Sequence, residues 1–169
     1  MPIDYSQLGY KEMFANYGLT ALAAQALEKT VLLLLAGVEC LEMSQISEVD
    51  LHDALDKHDR ETLGRLIRAL RDKVAFPQAL ETDLQTALER RNYVMHDFFL
   101  LRFDSRRLSE SPEKLSEELR PIRDLFDDVQ NRVDTIIATI QHQVGVSEAK
   151  LDEDAKRLLK RFRSPATAW

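Results

Sequence analysis

The stretch "LSEELRPIRDLFDDVQNRVDTIIATI", residues 115–140, carries the most regular hydrophobic pattern in the chain. Its apolar residues recur in alternating steps of four and three, which is the spacing of one face of a long helix. They are Leu115, Leu119, Ile122, Phe126, Val129, Val133, Ile136 and Ile140. Such a seam predicts a helix with one covered face, either inside its own bundle or against a partner helix. Pro121 lies inside the seam and should kink the helix or break off its first turns.

The rest of the chain also shows helical patterns, and Gly and Pro number only 5 each among 169 residues. A first helix is predicted from Tyr10 to Met43, and its middle is apolar nearly all round, which requires cover from several sides. A short helix should stop near Lys57. The next should begin at the cap Asp59. A central helix is predicted from Gln78 to Phe103.

These elements predict an all-α domain, an up-and-down bundle of about five or six helices that spans residues 1–145. Residues 146–169 should form a C-terminal helical extension, a basic amphipathic helix followed by a loose tail. Within it "KRLLKRFR", residues 156–163, has three interpretations that the sequence leaves open. It is a solvated helix face, an arm that grips RNA, or a docking element for an acidic partner or a membrane surface.

Charge and cysteine content narrow the classes of function. The formal net charge of -6 argues against a surface devoted to nucleic acid, although it permits a local basic groove. The single cysteine, Cys40, excludes a disulfide within the chain and fits a reducing cytosol. The most apolar segment, residues 30–38, is shorter than the roughly 20 residues that span a bilayer. We therefore expect a cytoplasmic protein without membrane contact.

The central helix contains three polar residues, Arg91, Asn92 and His96 (the polar trio), in a segment expected to be packed. Buried polar groups need partners, so one interpretation is a structural network in which Arg91 pairs with an acid. The other is chemical. An imidazole moves protons near neutral pH, a guanidinium binds phosphate through two parallel hydrogen bonds, and an amide orients either group. Together they suit metal-independent RNA cleavage, in which the 2′-hydroxyl attacks the adjacent phosphorus. In an α-helix Arg91 and His96 would lie about 140° apart, so a second molecule would help to bring the two groups together.

The segment "RNYVMH", residues 91–96, resembles the R-x4-6-H motif of the HEPN superfamily, helical domains found in eukaryotes and prokaryotes. The stretch "LAAQALEKTVLLLLAG", residues 22–37, resembles the long apolar helix of that family, with Glu28 where an acid often stands. The resemblance implies a helical bundle that dimerises with two motifs facing one cleft, and a ribonuclease of toxin–antitoxin or other defence systems. Arg91 and His96 would then be catalytic and Asn92 supporting. In one subgroup a nucleotidyltransferase antitoxin modifies a tyrosine at the position of Phe98, so that control cannot act at this position here.

From the same resemblance we expect a homodimer, an RNA substrate, and an antitoxin or other protein partner. Arg90, Arg102, Arg106 and Arg107 are the candidate RNA-binding residues. No cofactor or metal is expected, because the polar face with His52 and His58 lacks the inward Glu-x-x-His pairs of bundle metal sites. The alternative function is a non-catalytic interaction module, in which the polar trio is structural and the long heptad helix binds a protein partner.

Overall fold

The computed structural model describes residues 8–41, 48–104, 107–108 and 110–144. The described residues form five α-helices, which confirms the all-α class. The helices are α1 (Leu8–Leu41), α2 (Glu48–His58), α3 (Leu63–Arg71), α4 (Gln78–Asn92) and α5 (Pro112–Val144), with a π-helical turn at Tyr93–Asp97 directly after α4. Two antiparallel two-residue strands, β1 (Phe103–Asp104) and β2 (Arg107–Leu108), join this turn to α5. The predicted C-terminal extension, 146–169, lies outside the described residues.

The two longest helices, α1 and α5, form the framework of the bundle and share its most extensive helix–helix contact. They have 34 and 33 residues, so each is roughly 50 Å long. Gly9 near the start of α1 lies against Pro112 and Glu113 at the start of α5. The two helices therefore run parallel from the same end of the molecule.

Helix α4 runs antiparallel to α5 and lies beside it. Asp83 in the first half of α4 pairs with Arg132 in the second half of α5, whereas Tyr93, which follows α4, reaches Glu118 near the start of α5. An ion pair between Arg71 and Glu81 joins the end of α3 to the start of α4. Helices α3, α4 and α5 thus alternate in direction, as in an up-and-down bundle.

The heptad seam of α5 faces the inside of its own chain over most of its length. Its first six residues are at most 5% exposed, and Ile136 and Ile140 pack partly buried against the same core. The helix continues without interruption through Pro121, so the predicted break in its first turns is wrong. Burial of Leu119 and Ile122 on either side, at about 1.5–3 kcal/mol each, offsets the roughly 3 kcal/mol that an interior proline costs.

One other predicted boundary in this part of the chain shifts. Helix α3 begins at Leu63 with Thr62 in the N-cap position, and the Thr62 carbonyl accepts the Leu66 N–H. The predicted cap, Asp59, instead forms an exposed ion pair with Lys29 of α1 at 2.6 Å. Asp59, just after α2, therefore binds α1 and does not cap α3.

Most of α1, Gly9–Leu41, is long and apolar enough to cross a membrane when judged by length and composition alone. The core helix of a soluble bundle meets the same criterion, and half of its most apolar 18-residue window is buried against the rest of the chain. Cytoplasmic localisation and the lack of membrane contact therefore stay predictions.

Replacing Phe126 by alanine tests the packing of the seam. Phe126 is 0% exposed, so we expect Phe126→Ala to lower the free energy of unfolding by about 3–5 kcal/mol. Asp127→Ala, one residue on and exposed, should change it by no more than about 0.5 kcal/mol. Urea unfolding followed by circular dichroism measures both. Equal effects of the two changes would show that the seam is not the core of the bundle.

Candidate functional site

The segment that carries the polar trio widens from an α-helix into a π turn. Its defining hydrogen bond runs from the Phe98 N–H to the Tyr93 carbonyl at 2.8 Å, five residues back. The predicted α-helix from Gln78 to Phe103 is therefore wrong beyond Asn92. A π turn holds more residues than an α turn, so the angle between Arg91 and His96 is smaller than the about 140° expected for an α-helix.

Arg91 is held by an acid on another helix. Its side chain is 21% exposed, and Nη2 lies 3.2 Å from Oε2 of Glu28 on α1. Nη1 donates to Oδ1 of Asn92 at 3.3 Å. A guanidinium has five N–H donors, and these two contacts use only part of them. The structure thus fixes the position of Arg91 while its exposed portion stays accessible to a ligand.

Asn92 and His96 are both exposed, so the expectation that packing buries the polar trio is wrong. The end of α4 and the π turn present these two residues to solvent, while Val94 and Phe98 of the same segment are buried. His96 has no hydrogen-bond or ion-pair partner among the residues that the structure describes. Its imidazole is therefore available to a ligand as a whole, whereas the guanidinium of Arg91 is available only through its exposed portion.

Arg90 lies on the other side of α4 from Arg91. It is exposed and lines a groove of about 350 Å³ between α4 and α5, together with Thr86, Glu118, Pro121, Ile122 and Leu125. Consecutive residues of a helix point about 100° apart, which sends Arg91 towards α1 and Arg90 towards α5. The structure therefore does not bring these two arginines to one surface.

Of the other three candidate RNA-binding residues, the structure describes the side chain of Arg102 alone. Arg102 is only 12% exposed, and its guanidinium donates to Glu118 and to the Phe98 carbonyl. Burial would lower the pKa of Arg102, but the hydrogen bond and charge of Glu118 outweigh it and raise that pKa. Arg102 therefore belongs to an internal ion pair, and little of its guanidinium is exposed to bind RNA. Arg106 and the side chain of Arg107 lie outside the described residues.

No pattern in the sequence indicates the contact between Tyr93 and Glu118. The Tyr93 hydroxyl donates to Oε1 of Glu118 at 2.5 Å. Burial, together with this hydrogen bond and the charge of the carboxylate, raises the pKa of Tyr93 to about 12. The two residues are 25 positions apart in the chain, so no helical spacing connects them and only the antiparallel packing of α4 and α5 does.

His58 is not part of a solvated face as predicted, because it is 6% exposed. Its Nε2 lies 3.2 Å from Glu39 Oε1, and Nδ1 lies 3.6 Å from Glu61 Oε1. Burial would raise the pKa of Glu39, but hydrogen bonds from Lys57 and His58 outweigh it and lower that pKa. Within the described residues no group of three or more His, Cys, Asp or Glu side chains is arranged to hold a metal ion.

Large apolar side chains are exposed on α1 and after the π turn. Phe14, Leu19 and Leu22 on α1 are 39%, 50% and 61% exposed, and Leu100 and Leu101 after the π turn are 72% and 68% exposed. Leu19 and Leu22 lie at least about 140° round α1 from the side that contacts the π turn. We call Phe14, Leu100 and Leu101 the apolar surface. A scattered exposed Leu is ordinary, whereas an apolar surface that two segments share is typical of a contact site.

The two parts of the apolar surface meet through Phe99. Its ring centroid lies 5.7 Å from that of Phe14 and 4.6 Å from that of Tyr17. The Tyr17 hydroxyl donates to the Val94 carbonyl at 3.2 Å inside the π turn. The apolar surface therefore lies beside the π turn that carries His96.

No protein-family model, curated protein or solved structure matches this chain. The resemblance of residues 91–96 to the R-x4-6-H motif therefore remains a motif-level likeness. Functional assignment rests on that likeness and on the arrangement of Arg91, Glu28 and His96.

A double-mutant cycle measures how strongly Glu28 holds Arg91. Because both side chains are about one-fifth exposed, we expect Arg91→Ala and Glu28→Ala to couple by about 0.5–1 kcal/mol in unfolding free energy. The matched cycle of Arg91→Ala with Glu89→Ala should give a coupling near zero, since Glu89 is exposed and bonds Gln85 instead. A coupling no larger than in this control would mean that the Arg91–Glu28 pair does not form in solution.

Proposed function

We propose that this chain is a HEPN-like, metal-independent endoribonuclease of the toxin or defence type. One observation carries the proposal. Beside the π turn, an exposed imidazole without a partner among the described residues, His96, lies five positions from a guanidinium that is fixed but partly exposed, Arg91. An acid–base group and a phosphate-binding group close together on one surface are what RNA cleavage by the 2′-hydroxyl requires.

In the proposed reaction the RNA supplies its own nucleophile. His96 accepts the proton of the 2′-hydroxyl as its oxygen attacks the adjacent phosphorus, and the bond from phosphorus to the 5′-oxygen breaks. The leaving oxygen takes up a proton from water, and His96 returns its proton to the solvent, so the products are a 2′,3′-cyclic phosphate and a 5′-hydroxyl. The free N–H groups of Arg91 bind the phosphate oxygens and stabilise the charge that develops there.

Glu28 and Asn92 support Arg91 in this reaction. Glu28 is an acceptor that holds one end of the guanidinium, and Asn92 Oδ1 accepts a second N–H. Such support reduces the rotamer freedom that Arg91 would lose on binding phosphate. It also weakens the field of Arg91, because the carboxylate offsets part of its charge. Arg91 therefore attracts phosphate less strongly than an unpaired arginine would, but its N–H groups have a defined orientation.

The proposed enzyme is a homodimer that forms through the apolar surface. A standard interface buries about 800 Å² on each partner, and the three large apolar side chains of this surface would form the centre of such a contact. Because this surface adjoins the polar trio, a second copy seated there would bring two R-x4-6-H motifs near one cleft. An antitoxin or other protein partner is the alternative occupant of the same surface.

A non-catalytic interaction module is the second candidate function, and the Arg91–Glu28 ion pair favours it. An arginine that satisfies an acid on α1 already has a structural role. A partner of such a module would bind the apolar surface. The seam of α5 is less suitable, because its residues from Leu115 to Val133 are covered by the chain itself.

Removing the imidazole of His96 tests the ribonuclease directly. In buffer with EDTA, the parent protein should cleave single-stranded RNA and leave 2′,3′-cyclic phosphate ends. His96→Ala should lower the rate by about 100-fold to 10,000-fold, because the acid–base group is lost. His142→Ala is the matched control, since His142 is an exposed histidine on α5. Activity that persists in His96→Ala prepared in the same way would contradict the assignment.

Charging the apolar surface tests the dimer. We expect the double variant Leu100→Glu and Leu101→Glu to be monomeric in analytical ultracentrifugation, because burying two carboxylates in an apolar interface is unfavourable. Leu33→Glu is the control, since Leu33 is 45% exposed on α1 but lies outside the apolar surface. A parent protein that sediments as a monomer, or a double variant that stays dimeric, would contradict this interface.

A further inference from the structure

The π turn that positions the polar trio is anchored from outside its own helix. A π turn is uncommon and occurs mostly as single turns within helices, so its surroundings must favour it over a continued α-helix. The hydrogen bond that closes this one joins Tyr93 and Phe98. Both of these residues contact the same side chain, Arg102, whose guanidinium carbon lies 5.5 Å from the Tyr93 ring centroid and 4.9 Å from that of Phe98.

Glu118 of α5 ties this arrangement to the framework of the bundle. Its Oε1 accepts the Tyr93 hydroxyl, and its Oε2 accepts a hydrogen bond from Nη2 of Arg102. Arg102 also donates from Nη1 to the Phe98 carbonyl at 3.4 Å. One carboxylate therefore binds the first residue of the π turn and, through Arg102, the residue that closes it. We call Tyr93, Arg102 and Glu118 the clamp.

The clamp is a defined electrostatic unit. Arg102 is 12% exposed, and Oε1 of a second carboxylate, Glu110, lies 3.6 Å from its Nε. Among the described residues the buried Nε atom has no hydrogen-bond partner, so Glu118 provides the strongest contact of the guanidinium that the structure describes. Because the pKa of Tyr93 is raised to about 12, its phenol stays protonated and donates to Glu118 across the working range of pH.

We propose that the clamp fixes the relative orientation of Arg91 and His96, and that Tyr93, Arg102 and Glu118 are positioning residues for the proposed reaction. This inference rests on the proposed function. None of the three needs to touch RNA. They act through the π turn, which contains His96 and begins two residues after Arg91. Loosening the clamp would allow the turn to adopt an α-helical register, in which Arg91 and His96 point further apart.

Tyr93→Phe and Glu118→Gln test the inference, with Glu117→Gln as a matched control because Glu117 is an exposed neighbour on α5. Tyr93→Phe removes a single hydroxyl and keeps the ring under Arg102. We expect it to lower kcat roughly 10- to 100-fold with KM nearly unchanged, as misplacement of catalytic groups does. The double variant of Tyr93→Phe and Glu118→Gln should be no worse than the poorer single variant, because the two residues act as one unit.

Amide hydrogen exchange provides a second measurement that does not depend on activity. The Phe98 amide should exchange about tenfold faster in Tyr93→Phe, because opening of the π turn frees its hydrogen bond, while the amides of α3 stay as protected as in the parent. Unchanged exchange at Phe98 overturns the clamp whatever the activity. A raised KM at constant kcat also overturns it, because that result assigns these side chains to RNA binding. A parent protein that cleaves no RNA overturns the proposed function and the catalytic role of the clamp together.

Discussion

The packing of α5 along α1 is the constraint on which the rest of the structure depends. The two helices start at the same end of the molecule, where Gly9 permits the close approach of Glu113, and the seam from Leu115 to Val133 is buried against the shared core. Helices α2, α3 and α4 also pack against α1, so the second half of α1 is buried on most sides. The packing of α5 along α1 also fixes the positions of Glu28 and Glu118. Their carboxylates reach the end of α4 and the π turn from different directions.

Those two carboxylates hold the candidate site between them. Glu28 binds Arg91 just before the π turn, and Glu118 binds Tyr93 and Arg102 at the turn and after it. Partly buried ion pairs contribute modest net stability, since desolvation offsets much of their attraction. Their larger effect is on geometry, because each pair restricts where its helix segment can lie. Between these two attachments His96 projects into solvent without a partner among the described residues.

The surface around the polar trio combines chemistry with an apolar contact area. The exposed apolar side chains of Leu100 and Leu101 are unfavourable in a monomer, which is the physical reason to expect a partner there. The acidic net charge of -6 limits RNA attraction over the whole protein, so binding would depend on local arginines. Arg90 is exposed but lies on the α5 side of α4, away from Arg91, and Arg102 is engaged within the clamp.

The sequence by itself determined the class of fold and showed which segment of the chain carries the polar trio. The spacing of the apolar residues, the length of the apolar segments and the scarcity of Gly and Pro predicted the long helices. They could do so because helical hydrophobic spacing is a local property. Whether α4 would end at Asn92 was decided by tertiary structure, since the π turn depends on Glu118, a residue 25 positions beyond Tyr93. The partner of Arg91, 63 positions away on α1, was decided in the same way. Ion pairs between helices depend on packing, and no local spacing encodes them.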